Sequence, residues 1–240
     1  MVFAYWLAIA LLNQIPFLGA PVATVMLPAF SVSFMIICDE LAHGRPIGLA
    51  MLLAGFRREL SALITMGGLY LVAILLVLGA STIADGGTLW HWVVTGTSPP
   101  PQSLRDGSLS RALLLAAALG TPVMMAFWFA PALTAWKGMG AAKALFYSFF
   151  AAWRNWRAFV LYGAMLAMVG VGVSVAIGVI GLLTMARVVP AELLRVLTVL
   201  ISIGILPMIF GSFYAGYCDI FPDGTPAESP GTGTAPPANP

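Results

Sequence analysis

Ionisable side chains occur in clusters along this chain, with long apolar stretches between them. Residues 2–38 hold no Asp, Glu, Lys, Arg or His, and neither do 60–84, 112–136, 158–186 or 196–218. A helix needs about 20 apolar residues to cross a hydrocarbon core of roughly 30 Å, so each stretch predicts membrane-spanning helix. The first is long enough for two spans, parted by a tight turn at Asn13, Gln14, Pro16 and Gly19. Six spans follow, at about 2–17, 21–38, 60–83, 111–136, 157–183 and 193–217. Pro28 falls in the second, Pro122 and Pro131 in the fourth and Pro207 in the sixth. There a ring without an N–H bends or breaks the helix.

Two connecting stretches carry a helical pattern of their own. In 141–156, Leu145, Phe146, Phe149, Phe150 and Trp153 recur at helical spacing, with Lys143, Ser148, Arg154 and Asn155 mostly on the other side. That predicts an amphipathic helix lying in the membrane interface. Residues 49–60 show a weaker version through Leu49, Leu52, Leu53, Phe56 and Leu60. Alternatively, both stretches are the first turns of the spans that follow. Phe56-Arg57 before span three matches Trp153-Arg154 before span five, and Cys38-Asp39 and Cys218-Asp219 close spans two and six. These matches suggest a threefold repeat of amphipathic helix, span, turn and proline-bearing span. Residues 85–110, rich in Gly, Ser, Thr and Pro, predict an aqueous loop, with Trp90 and Trp92 at headgroup level. The membrane domain is therefore 1–221, and 222–240, rich in Pro, Gly, Thr and Ala, is expected to be disordered.

Composition strengthens this picture. Of 240 residues 60% are apolar and 8% charged, where a soluble domain carries roughly 25% charge. The expected fold class is an all-α integral membrane protein with six transmembrane helices and two interfacial amphipathic helices. A net charge of +2 suggests no nucleic-acid partner. The segments after spans two and four hold seven basic residues, Arg45, Arg57, Arg58, Lys137, Lys143, Arg154 and Arg157. The alternate side holds four, Arg105, Arg111, Arg187 and Arg195. The excess of Lys and Arg predicts both termini in the cytoplasm, with Cys38 and Cys218 as free thiols in a reducing compartment. Residues 2–17 make roughly 24 Å of helix at 1.5 Å per residue, short for a core of about 30 Å and without a basic flank. The coding region is expected to continue upstream of Met1.

Several motifs together resemble a known family. These are Leu-Pro-Ala-Phe at 27–30, Leu-Leu-Ala-Gly-Phe-Arg-Arg at 52–58, Phe-Ala-Pro-Ala-Leu at 129–133 and Tyr-Cys-Asp-Ile-Phe at 217–221. With the amphipathic stretch at 143–154 they are similar to the uncharacterised BPSS-type multi-pass membrane proteins of proteobacteria, and more distantly to YciC-like six-helix proteins. The resemblance covers nearly the whole chain and implies six helices and a bacterial inner-membrane address; it implies no activity. Family members usually begin with a basic, Trp-containing amphipathic segment, whereas this chain starts at Met1-Val2-Phe3.

Candidate chemistry is sparse. The spans hold hydroxyls and amides such as Asn13, Gln14, Thr24, Ser33, Thr121 and Ser174, which in such helices mostly bond a neighbouring carbonyl. No HExxH pair, Gly-x-Ser-x-Gly elbow or Walker loop occurs, so neither an enzyme nor a cofactor site is expected. Asp39, Glu40, His43 and Arg45 form the one polar cluster a lipid enzyme could use, and read instead as the charged end of span two. Gly170, Ser174 and Gly178 in span five, and Gly211 and Ala215 in span six, recur every four residues and predict close helix packing. The favoured reading is a non-enzymatic accessory or assembly factor that binds membrane lipids, a membrane-protein partner or a second copy of itself. Its candidate surface is Lys143, Phe146, Phe149, Phe150, Trp153, Arg154 and Arg157. The alternative is a small transporter or channel, favoured by the repeat and the broken helices. It is weakened because no Asp, Glu or His falls within the spans.

Overall fold

In the computed structural model the described residues, 18–222, contain helices and no strand. The expected first span at 2–17 and the tail beyond Pro222 lie outside them. Among the described residues five helical stretches are long and apolar enough to cross a membrane. They are α1 (Gly19–Ala42), α2 (Leu60–Asp85), the pair α5 (Ser108–Trp128) and α6 (Ala130–Lys137), α8 (Trp156–Met185) and α9 (Ala191–Ile220). Short helices α3 (Thr88–Thr95) and α4 (Pro101–Arg105) structure the 85–110 loop, and α7 (Ala141–Arg154) joins α6 to α8.

The loop expected at 85–110 is thus partly helical, because Asp85 caps it. Its carboxylate accepts the N–H of Gly87 at 2.9 Å and of Leu89 at 2.6 Å, filling donors that a helix start leaves unpaired. Leu89 then packs with Leu109 and Ala112 at this end of the bundle. The expected helix at 49–60 is replaced by two 3₁₀ turns, Leu49–Leu53 and Gly55–Arg57. Arg58 is extended and Glu59 is left-handed at φ 42°, so the segment cannot run on into α2. Leu52 is buried, while Leu49 and Leu53 are exposed.

The fourth span breaks at Phe129. Pro131 has no N–H for the carbonyl one turn back, and its ring crowds that position, so the chain restarts as α6. By contrast Pro28, Pro122 and Pro207 are carried inside continuous helices.

Most of the buried core lies at one end. Met35 of α1, Met66 of α2, Phe129, Leu133 of α6, Ala144 of α7 and Tyr217 of α9 form its largest cluster. Ala29, Val32, Leu63 and Ala135 form a second. This end also carries Arg45, Arg57, Arg58, Lys137, Lys143, Arg154 and Arg157 and is called the basic end below. Two glycines permit the closest approaches. A Cβ on Gly67 would stand 2.0 Å from the carbonyl oxygen of Val25, and one on Gly55 the same distance from that of Ala29.

Helix α8 is built differently. None of its residues is buried. Its ties to the rest are near the basic end, where Phe159 and Tyr162 meet the Trp128 ring edge-on and the Tyr162 and Ser212 hydroxyls share a hydrogen bond of 2.7 Å. The close packing expected around the small residues of α8 and α9 is not found among the described residues. No described residue stands within 4 Å of a Cβ placed on Gly170, Gly178 or Gly211. Ser174 donates to Gly170 of its own helix at 2.8 Å, and Ala215 is exposed. The reason is geometric: beyond the basic end, α8 diverges from the bundle.

Candidate functional site

Helix α7 begins after extended Gly140 and ends at Asn155, whose side-chain amide donates to the Ala151 carbonyl at 2.8 Å. Its sequence divides the helix into faces. Ala144, Ser148 and Ala152, spaced four apart, are buried. Small side chains there let α7 lie close against the α5–α6 break. The Ser148 hydroxyl secures the contact by accepting the Phe129 N–H at 2.9 Å and donating to the Met125 carbonyl at 2.9 Å. Both groups belong to the broken helix, so a hydroxyl from α7 supplies part of what the break removes.

The bulky side chains point away. Phe146 is 60% exposed, Phe150 50% and Trp153 61%. Phe149 is half-buried and lies parallel to Trp153, with ring centroids 6.1 Å apart. Cations fringe the aromatic surface: the Lys143 ammonium sits 6.0 Å from the Tyr147 ring centre and the Arg157 guanidinium 5.7 Å from that of Trp156. Lys143, Arg154 and Arg157 are all exposed, and none forms an ion pair with another described residue. The seven candidate residues thus gather around one helix and its exit, with charge free to meet an outside anion.

A second polar group lies where α1 ends. The Asp39 carboxylate is almost fully buried. It accepts the Tyr214 hydroxyl from α9 at 2.8 Å and the Arg45 guanidinium at 3.1 Å, with His43 Nδ1 at 3.4 Å. Arg45 also donates to Glu40, and that bond raises the Arg45 pKa above its ordinary value. The sequence places Asp39, Glu40, His43 and Arg45 together; Tyr214, which is 175 residues from Asp39, carries no mark that links it to them. Tyr214, Arg45 and His43 converge on the Asp39 carboxylate, so the arrangement ties α9 to α1. Cys38 and Cys218 flank it and form no disulfide. His91 lies on α3 at the opposite end, beside Thr97 at 3.0 Å, and shares nothing with His43.

Bare apolar helices, a core at one end and aromatic side chains facing outward define an α-helical transmembrane protein. Over 227 residues, 91% of this chain and 82% of the relative, it is 36% identical to a Burkholderia thailandensis protein named as a probable inner membrane protein. The chain belongs to that inner-membrane family, and its place is the inner membrane. No family model matches it, and no solved structure matches it either.

Proposed function

We propose that the chain is a non-enzymatic accessory protein of the inner membrane that engages anionic lipid through α7. The observation that carries this is the outward aromatic face of α7 beside cations that form no ion pair with another described residue. Aromatic rings at headgroup depth bury apolar area, and each Lys or Arg near an anionic leaflet adds about 1 kcal/mol. The excess of Lys and Arg at the basic end supports a cytoplasmic position for that end and for both termini. The wider likeness to BPSS-type and YciC-like proteins, the sixth span and the threefold hairpin repeat belong to this reading.

A transporter reading has less to stand on. The chamber of about 210 Å³ between α1, α2, α5 and α9 is walled by Leu27, Phe30, Tyr70, Trp128, Phe210 and Phe213. No ionisable carboxylate or imidazole lines it, and ion-coupled transport usually needs one.

The test is charge reversal of Lys143 and Arg154 together. With the aromatic face intact, the double variant is expected to fold and to lose retention of phosphatidylglycerol in mixed nanodiscs. Unchanged retention in a well-folded variant would reduce α7 to a structural connector.

A further inference from the structure

Beside α7 the bundle opens sideways. Where α8 leaves α5, a crevice of about 780 Å³ remains, within the roughly 300–1,000 Å³ of small-molecule sites. Ala117, Gly120 and Met124 of α5 form one wall, and Trp153, Trp156 and Phe159 form the other. The Thr121 hydroxyl on the α5 wall is engaged by the Ala117 carbonyl at 2.7 Å, so the interior offers an apolar ligand almost no polar competition. The mouth is charged. Arg157 lies over Trp156, one of the wall residues, at 5.7 Å, and forms no ion pair with another described residue. Between Asp106 and Glu192 the chain has no acidic residue. One carboxylate, Asp219 of α9, lines an adjoining cleft that shares Phe159 with the crevice.

An apolar slot with a guanidinium group at its mouth matches one chemistry: a hydrocarbon chain ending in a phosphate. We propose that the crevice between α5 and α8 holds an acyl chain of an anionic phospholipid whose phosphate is met by Arg157. This rests on the lipid reading of α7 and narrows it from a surface that touches the leaflet to a site that retains one lipid. The charge pattern favours a lipid over a second copy of the chain, since a copy would bring the same cation to the same mouth.

Gly120 makes the site testable. A Cβ there meets no described residue within 4 Å, and a larger residue is also a better helix former than glycine. Gly120→Phe and Gly120→Leu therefore fill the slot while leaving the helix sound. The full chain would be extracted in mild detergent and its bound phospholipid measured by native mass spectrometry, then reconstituted with phosphatidylglycerol or phosphatidylcholine. The wild type is expected to keep a single anionic phospholipid. Both Gly120 variants should lower its occupancy roughly tenfold or more, because each methylene expelled from an apolar site weakens binding. Arg157→Gln should keep a lipid but lose the preference for phosphatidylglycerol. Gly170→Phe, on the bare part of α8, should change neither. Wild-type occupancy in both filled variants would overturn the crevice, as would equal retention of the two lipids by the wild type. The Lys143 and Arg154 reversal separates the levels: if it leaves nanodisc retention intact while Gly120→Phe strips the bound lipid, the surface reading fails and the crevice stands.

Discussion

At Gly55 a hydrogen is all that fits between the 49–57 turns and α1. A methyl group would stand 2.0 Å from the Ala29 carbonyl oxygen and 2.8 Å from the Ser33 hydroxyl, which also accepts the Gly55 N–H at 2.9 Å. Overpacking usually costs about 1–3 kcal/mol, and here the obstacle is partly backbone. Gly55→Ala is expected to lower the melting temperature in detergent clearly, while Gly170→Ala, with open space around it, should leave it level or slightly higher. Equal effects would deny the close approach at Gly55. A second residue-scale effect depends on pH. The Ser108 N–H, 2.8 Å from Asp106 Oδ1, holds the Asp106 carboxyl below its ordinary pKa at the start of α5. A depressed folded value means that stabilisation is present above the unfolded value of about 3.9 and is lost as pH falls through the folded one. Asp106→Asn should therefore speed amide exchange in the first turn of α5 near neutrality and match the wild type in strong acid. A gap that persists in acid would assign the effect to shape.

Among the elements, the spans were the most legible, because a bilayer tolerates little but apolar helix and the charge-free stretches mark their limits. The α5–α6 break was half legible. Pro131 marked the place, but its repair by Ser148 depends on α7 folding back across it. The sequence reading of α7 saw two faces, polar and aromatic. The structure adds a third made of Ala144, Ser148 and Ala152, and their spacing of four was available as a signal. The large rings dominate the pattern and hid it. At 49–60 the helical spacing misled, because Gly55 and left-handed Glu59 interrupt it. In α8 and α9 the spacing of small residues pointed to contacts absent among the described residues, since spacing alone does not say whether a neighbour arrives. The Ser148 repair has its own test. Ser148→Ala keeps the small face but leaves the Phe129 N–H without its partner, at about 1–3 kcal/mol for a buried donor. A melting temperature that falls for Ser148→Ala and recovers in Ser148→Thr is expected; no change would make the hydroxyl incidental.

For the molecule as a whole, the basic end collects the core, the α7 surface and the tie between α1 and α9, while the other end has a smaller cluster around Leu89. This asymmetry leads to a topology prediction. Reporter fusions near Arg45, near Lys137 and after Phe221 should read cytoplasmic, and one near Ser98 periplasmic. Ser98 and Lys137 reporting the same side would undo the arrangement of spans and the orientation drawn from it.

Tyr217 adds the dimension of time. Its side chain is fully buried among Phe129, Trp136 and Phe221, and it comes near the end of the last described helix, after every helix it packs against has been made. A ribosome delivers those helices in order, so the basic end stays open until α9 arrives and Tyr217 enters its slot. Until then Phe129 and Trp136 lack one neighbour, and a nascent chain halted before α9 would present that gap to the proteases and insertases around it. Completion of this core thus waits on α9, the last of the described helices to reach it.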